Sequence, residues 1–331
     1  MTASALAGCA GVARRTGNAR VDDERSQRHV AGVAIAHVRR DTADALEAYG
    51  DLTADTLVEV ASLSKPVFAF AVVSESARGA LDLDAPLARV SPAPYAHTHR
   101  GGVDAFADPR LAQVTPRLLL SHRSGLPNWS RTEPLAFADA PGAGWHYSGE
   151  GYVLLAHALE AATRESLDSL ARRCVFASLA MRRSTFDPRT ASAPAAGHDR
   201  AGARVPSSLD GPVAATSLLS TVTDYARFAR RIVEAPRGDA VVDAMLARQV
   251  DVDADRRISW GVGLALAEPD WFFHWGANPG FRSLLVGSRA RGEAIVVLTD
   301  AEGGMELAAD VVRSRFGELP FLTFPMMYPP D

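Results

Sequence analysis

Strand-like segments lie at both ends of this 331-residue chain, and the middle between them is helical or irregular. The apolar run 32–39 predicts a strand, and 45–52 is its expected hairpin partner. Later runs predict the strands 260–266, 271–275, 283–287 and 294–299. One sheet must therefore receive strands from both termini. We expect an α/β fold with a mostly antiparallel sheet flanked by helices and a helical insertion domain.

The same pattern predicts the domain organisation. We expect residues 1–24 to form a flexible N-terminal tail, residues 25–77 and 207–331 to form the α/β domain, and residues 78–206 to form the helical domain. The helices that the pattern favours are 64–76, 116–120, 151–163, 223–234 and 306–315.

Composition narrows the class of function. With 47% hydrophobic and 22% charged residues, the chain can bury a sizeable core. A net charge of -4 with scattered arginines argues against a nucleic-acid partner. No apolar stretch approaches the roughly 18 to 20 residues that a membrane span requires. A small molecule is therefore the expected partner.

Only one of the 35 cationic side chains is a lysine, Lys65. A guanidinium keeps its proton at any ordinary pH, whereas a buried lysine can become neutral and act as a base. Lys65 follows Ser62 by three residues, a spacing that on a helix brings the two Cβ atoms within about 5 to 6 Å. Codon bias with one surviving lysine is the alternative explanation.

Ser62 precedes a segment that reads as a buried helix. Residues 64–76 are rich in Ala, Phe and Val, and Pro66 fits only the first turn of a helix. Free N–H groups and the dipole at a helix N-terminus can stabilise an oxyanion. The sequence therefore offers Ser62 as a nucleophile and Lys65 as its base, although Ser-x-x-Lys alone is a weak motif.

Two later segments are further candidates. In residues 145–152, Tyr147 comes directly before a turn that contains glycines. In residues 274–282, His274 lies at the end of a strand and is followed by Gly276. A glycine there lets the backbone approach a ligand closely. The alternative interpretation of both segments is aromatic packing and a loop.

These segments together resemble a known family. Residues 61–65, 119–127, 147–152 and 274–276 occur in the order and approximate spacing of the serine β-lactamase-like hydrolases. The similarity is greatest to the class C branch, which includes D-alanyl-D-alanine carboxypeptidases and β-lactamase-like esterases, and it runs from about residue 30 to 316.

The resemblance implies a role for each matched residue. Ser62 would be the acylated nucleophile, Lys65 would help to take its proton, and Tyr147 would deliver a proton to the leaving group. The backbone amides of Ser62 and Ala277 would form the oxyanion hole. Neither a metal nor a cofactor is implied.

Two departures from the family pattern concern the substrate. Gly149 stands where the second motif, Tyr-x-Asn, commonly has its Asn, so a contact to an amide substrate is missing. His274 replaces the Lys of the third motif, which ends at Gly276, so attraction for a substrate carboxylate becomes weaker and pH-dependent. Both changes favour esters or other small acyl compounds over β-lactams and D-Ala-D-Ala peptides.

The leading hypothesis is a metal-independent serine hydrolase that forms an acyl-enzyme on Ser62. The alternatives are a penicillin-recognising D-Ala-D-Ala peptidase and a non-hydrolytic β-lactam sensor that is acylated but not deacylated. The sequence leaves the substrate and the oligomeric state open.

Other polar residues have structural interpretations. His97 and His99 could bind a metal, but a solvated loop is the favoured interpretation. We expect His122 to make a structural hydrogen bond, and Glu150 to lie in a solvated turn, with activation of the deacylating water as its alternative.

The N-terminus carries one motif of its own. Residues 6–9 end at Cys9 and resemble a bacterial lipobox, but no basic region precedes them. Cys9 would be a lipid anchor if translation started upstream; a disordered tail is the alternative. Location therefore stays open, with the cell envelope or periplasm slightly favoured over the cytoplasm.

Overall fold

The computed structural model describes residues 19–91 and 94–328. The α-helices in this part of the chain are α1 (Ala19–Gln27), α2 (Ser64–Ala77), α3 (Leu87–Val90), α4 (Pro116–Leu120), α5 (Gly149–Thr163), α6 (Leu167–Ala171), α7 (Val222–Glu234), α8 (Ala240–Leu246) and α9 (Gly304–Phe316). The strands are β1 (Gly32–Arg39), β2 (Ala45–Gly50), β3 (Val58–Glu59), β4 (Tyr95–His99), β5 (Gly102–Phe106), β6 (Gly197–His198), β7 (Arg204–Val205), β8 (Leu219–Ser220), β9 (Val250–Asp253), β10 (Ile258–Trp260), β11 (Ala265–Ala267), β12 (Trp271–Asn278), β13 (Phe281–Ser288) and β14 (Glu293–Thr299).

Eight strands form one antiparallel sheet in the order β2-β1-β14-β13-β12-β11-β10-β9. The N-terminal strand β1 pairs along its length with the last strand, β14, from Val33 opposite Thr299 to Arg39 opposite Glu293. The predicted α/β fold, with an antiparallel sheet built from both termini and flanking helices, is confirmed.

The sheet is buried on both faces because apolar side chains of its central strands alternate between two cores. Ala34, Ala36, Val296 and Leu298 face the core that contains α2, α5 and α7. Val33, Ile35, Ile295 and Val297 face the core that contains α9 and the C-terminal segment up to Met327.

Helix α2 lies inside the larger core. Its residues from Ser64 to Glu75 are all buried, as expected for a helix that is apolar around its whole circumference. The Ser64 hydroxyl donates to the Ala61 carbonyl at 2.6 Å and accepts from the Leu218 amide at 3.0 Å. Both bonds hold the turn that contains Ser62 at the N-terminus of this helix.

One predicted strand is wrong. Residues 260–266 do not form a single strand but the turn between β10 and β11. Gly263 has φ +83°, and a Cβ on Gly261 would lie 2.2 Å from the Met245 carbonyl oxygen. One glycine with a positive φ and a second one without room for a Cβ therefore interrupt an apolar run that reads as continuous in the sequence.

The predicted tail and helical domain also differ from the structure. Residues 19–24 belong to α1, and Arg25 of the same helix donates to the carbonyls of Val30 and Ala31 at the start of β1. Cys9 and the rest of the predicted tail lie outside the described residues. The stretch 78–206 carries the hairpins β4-β5 and β6-β7 beside its helices, so it is not wholly helical. Within the residues described, no helix is long and apolar enough to cross a membrane.

Candidate active site

Ser62 lies in a turn of 3-10 helix, Ala61–Leu63, directly before α2. The preceding residue, Ala61, is fully buried and has φ +50°, a conformation that costs a non-glycine residue roughly 1 to 3 kcal/mol. Strain of this kind persists only where the surrounding structure enforces it. Here it presents the partly exposed Ser62 side chain to a cleft.

Lys65, in the first turn of α2, is 1% exposed. Its Nζ donates to Ser62 Oγ at 2.9 Å and to the Ala215 carbonyl at 3.0 Å. No carboxylate pairs with it among the residues described. Burial lowers the pKa of Lys65 to about 7, because the ammonium loses hydration without gaining a counter-ion. An amine poised to lose its proton thus touches the serine hydroxyl.

Tyr147 lies on the other side of this amine. Its ring centroid is 4.8 Å from Lys65 Nζ and 5.6 Å from the centroid of Trp275, on which it stacks. Burial of the phenol raises the pKa of Tyr147 well above its ordinary value, and the nearby Ser62 hydroxyl opposes that shift only in part. Within the part of the chain that the structure describes, the hydroxyl has no partner in hydrogen-bonding geometry, so this neutral phenol is free to donate.

The His122 ring packs against the ring of Tyr147. Its ring centroid lies 4.4 Å from that of Tyr147, and its Nδ1 accepts the Ser148 amide at 3.0 Å. Burial and the nearby Lys65 keep the pKa of His122 well below its usual value. The expected structural hydrogen bond is therefore present, and it fixes the residue that follows Tyr147.

His274 is placed differently from the expectation. The side chain is fully buried on β12, and its Nδ1 lies 2.8 Å from the Trp275 carbonyl. Burial, with the nearby Lys65, lowers the pKa of His274 to about 3, so the imidazole is neutral at physiological pH. The expected pH-dependent attraction for a substrate carboxylate is wrong, because a neutral ring without solvent access carries no charge to a ligand.

Gly276 brings β12 against the turn that holds Ser62. A Cβ on Gly276 would lie 2.4 Å from the Val60 carbonyl oxygen and 3.0 Å from Ala61 Cβ. Strand β11 pairs with β12 only as far as Phe273, so on that side Ala277 has no strand partner among the described residues. Its backbone edge therefore faces the Ser62 turn, where an oxyanion hole would be required.

A cleft of about 1260 Å³ opens at these groups. Ser62, Tyr147, Trp275 and Ala277 line one part of it, and residues of β4, α5 and the segment 208–214 line the rest. Gly149, Gly276 and His274 lie behind this surface and do not line it. The structure therefore brings Ser62, Lys65, Tyr147 and Ala277 together. The other three predicted residues, Gly149, His274 and Gly276, pack behind them.

Gly149 is enclosed by the loop before α5. A Cβ there would lie 2.6 Å from the Trp129 ring and 2.9 Å from the Asn128 carbonyl oxygen. Its amide donates to the Asn128 main-chain and side-chain oxygens, each at 3.0 Å. No side chain fits at this position while Trp129 stays in place, which explains the glycine in the second motif.

Two structural expectations about polar residues are wrong. Glu150 is not in a solvated turn but in the first turn of α5, 5% exposed, where its Oε1 accepts the Ser130 amide at 2.9 Å. His97 and His99 are not in a solvated loop but in β4, and His97 is 4% exposed. The burial of β4 depends on the packing of this hairpin on α5, which is distant in the chain and leaves no local signal in the sequence.

Sequence reasoning also missed contributors to the site. The Ala215 carbonyl bonds Lys65 through the main chain, so its side chain carries no signal. The Trp275 ring, by contrast, adjoins two motif residues and could have been identified from that position. Within the described part of the chain, no group of three or more His, Cys, Asp or Glu side chains could hold a metal ion.

The chain is similar to known proteins over most of its length. The family model described as Beta-lactamase matches residues 17–316. Esterase EstB of Burkholderia gladioli is 32% identical over 163 residues, which are 42% of this chain and 41% of that protein. The chain thus matches less than half of the length of this curated relative.

Solved structures share the fold. The octameric penicillin-binding protein homologue from Pyrococcus abyssi superposes with a TM-score of 0.76 at 20% identity, covering 94% of this chain and 79% of that one. D-amino acid amidase from Ochrobactrum anthropi SV3 superposes with a TM-score of 0.73 at 23% identity, covering 89% and 99%. Together with the family match over most of its length, these similarities show that the chain belongs to the Beta-lactamase family.

Proposed function

We propose that the protein is a serine hydrolase that cleaves esters or small amides through an acyl-enzyme on Ser62. The observation that carries the proposal is the 2.9 Å hydrogen bond from the buried amine of Lys65, with its pKa of about 7, to Ser62 Oγ. A base whose pKa lies near neutrality is suited to remove a serine proton at physiological pH.

The acylation step uses the groups in the cleft. Ser62 Oγ attacks the carbonyl carbon as its proton passes to neutral Lys65, and the amides of Ser62 and Ala277 hold the oxyanion. When the tetrahedral intermediate collapses, the bond to the leaving group breaks and Tyr147 supplies its proton, which the Lys65 ammonium then replaces. Water next attacks the acyl carbon and gives one proton to neutral Lys65. The bond between the acyl carbon and Ser62 Oγ then breaks, the acid leaves, and Lys65 returns the proton to Ser62 Oγ.

Esters are the favoured substrates within this class. Gly149 offers no side-chain amide to a peptide or β-lactam carbonyl, and His274 offers no charge to a carboxylate. The sequence similarity to a protein named as an esterase supports the same preference.

The test compares Ser62→Ala with wild type on p-nitrophenyl acetate. Loss of the nucleophile should lower kcat/KM by at least about 1,000-fold. Ser76→Ala, the same change at the far end of α2, is the matched control. Full activity in Ser62→Ala would refute the proposal, and a stable β-lactam adduct on wild-type Ser62 without any turnover would instead support the non-hydrolytic sensor.

A further inference from the structure

The part of the cleft away from Ser62 carries an excess of negative charge. Its lining includes three carboxylates, Glu150, Glu160 and Asp210, and a single guanidinium, that of Arg131. Arg131 is exposed, and its guanidinium lies over the Trp129 ring at 5.0 Å. The one lysine of the chain, Lys65, does not line the cleft. A cleft of this charge favours a cationic ligand.

Glu150 is the buried member of this set. Its Oε1 accepts the Ser130 amide at 2.9 Å and lies 3.4 Å from His97 Nε2. Its Oε2 makes no hydrogen bond within the part of the chain that the structure describes. The side chain also occupies the first turn of α5, where the helix dipole favours a negative charge. The carboxylate is therefore held in place by one oxygen, and the other has no protein partner.

His97 provides a second, independent observation. The side chain is 4% exposed and lines the same cleft, and its buried Nδ1 has no hydrogen-bond partner among the described residues. In a neutral ring that donates from Nε2 to the Glu150 carboxylate, Nδ1 is an acceptor. Two atoms of this wall, Glu150 Oε2 and His97 Nδ1, thus lack a donor within the described part of the chain, and a ligand that supplies donors would complement them.

We propose that the substrates carry a primary ammonium group and that Glu150 Oε2 binds it, so that Glu150 is a specificity-determining residue of the cleft. An ammonium offers three donors and a positive charge, which complement this wall, whereas a neutral acyl chain would leave the carboxylate desolvated and unpaired. The inference rests on the proposed function, because it names the substrate class of the same serine hydrolase.

The experiment measures hydrolysis of paired methyl esters at neutral pH by titration of the released acid. Glycine methyl ester is paired with methyl propionate and β-alanine methyl ester with methyl butyrate, so that a methyl group replaces the ammonium in each pair. Wild type should favour the amine ester of at least one pair by on the order of tenfold in kcat/KM.

Glu150→Gln keeps the shape and the Oε1 acceptor but removes the charge, and it should lower that ratio by about tenfold, which leaves only the intrinsic reactivity difference between the two esters. Glu133→Gln makes the same change at an exposed position outside the cleft and should keep the wild-type ratio. Wild type that favours the uncharged ester of both pairs, or a ratio that Glu150→Gln leaves unchanged, would overturn this inference alone. Failure to hydrolyse any of the esters, with no acylation of Ser62, would overturn the proposed function as well.

Discussion

At the scale of single residues, the site depends on one amine that can change its charge. Of the 35 cationic side chains only Lys65 is not an arginine, and it is also the one that bonds the candidate nucleophile. Arginine would place a permanent charge beside a hydroxyl that must lose its proton. The chemistry at Ser62 therefore requires lysine rather than any cation.

Lys65 should also set the pH dependence of acylation. The base is active when neutral, and burial lowers its pKa to about 7, so the rate should rise with pH and level off above that value. Below it, the rate should fall by about tenfold per pH unit. The measurement is kcat/KM for p-nitrophenyl acetate across pH, together with the acyl adduct seen by intact mass.

Lys65→Arg is the matched variant for this prediction, since it keeps the charge but not the ability to lose a proton. It should abolish acylation at every pH tested. Normal acylation in Lys65→Arg, or a wild-type profile without an acidic limb, would show that Lys65 is not the base.

At the scale of elements, the site forms where strand β12 meets the turn before α2. Ser283 Oγ of β13 donates to the Val60 carbonyl at 2.7 Å, and Asn278 Nδ2 of β12 donates to Glu59 Oε2 at 2.8 Å. Both bonds tie the sheet to the segment that enters the Ser62 turn. The absence of a side chain at Gly276 is what allows the strand to come so close.

Gly276→Ala should therefore disturb both stability and activity. The added methyl group would lie 2.4 Å from a backbone oxygen, so the strand or the turn must move. We expect a loss of about 1 to 3 kcal/mol or more in the free energy of unfolding, measured with urea, and a lower kcat. Gly211→Ala, where a Cβ meets open space, is the stability control. Equal unfolding midpoints for the two variants would contradict the close-approach argument.

At the scale of the whole molecule, Asp300 ties the end of the last strand to the beginning of the first. Its Oδ1 accepts the Gly32 amide at 2.6 Å, and the residue is 1% exposed. Burial raises the pKa of Asp300 to about 6, although the Gly32 amide and His198 act in the opposite direction. A buried carboxyl group thus joins the end of β14 to the start of β1.

This raised pKa predicts how stability changes with pH. Between about pH 4 and pH 6 the folded state holds the Asp300 proton more tightly than the unfolded state, so the contribution of Asp300 is present at low pH and is lost as pH rises through 6. Ionisation should cost on the order of 3 kcal/mol in the free energy of unfolding. Asp300→Asn keeps an oxygen acceptor for the Gly32 amide but cannot ionise. Its free energy of unfolding, measured with urea at each pH, should lack this dependence. If the free energy of both proteins changed with pH in the same way, Asp300 would not be its source.

Much of this fold could be read from the sequence, because periodicity reports which side chains a strand or helix buries. The strand 32–39 coincides with β1, and α5, α7 and α9 lie within two residues of their predicted starts. The turn within 260–266 could not be read, since the positive φ of Gly263 interrupts its apolar run. The β4-β5 hairpin and α1 could not be read either, since they are held by contacts with α5 and α9, which are distant in the chain.

By itself, the sequence indicated the architecture and offered Ser62 and Lys65 as a pair, since an isolated lysine and a helix start are local signals. The family resemblance of the ordered motifs added Tyr147 and Ala277 to the predicted site. The tertiary structure alone decided which residues line the cleft. His274 is buried as a neutral ring, Gly149 and Gly276 lie behind the cleft wall, and Glu150 forms part of that wall. The physical reason is that burial, and with it charge and access to a ligand, depends on neighbours distant in the chain.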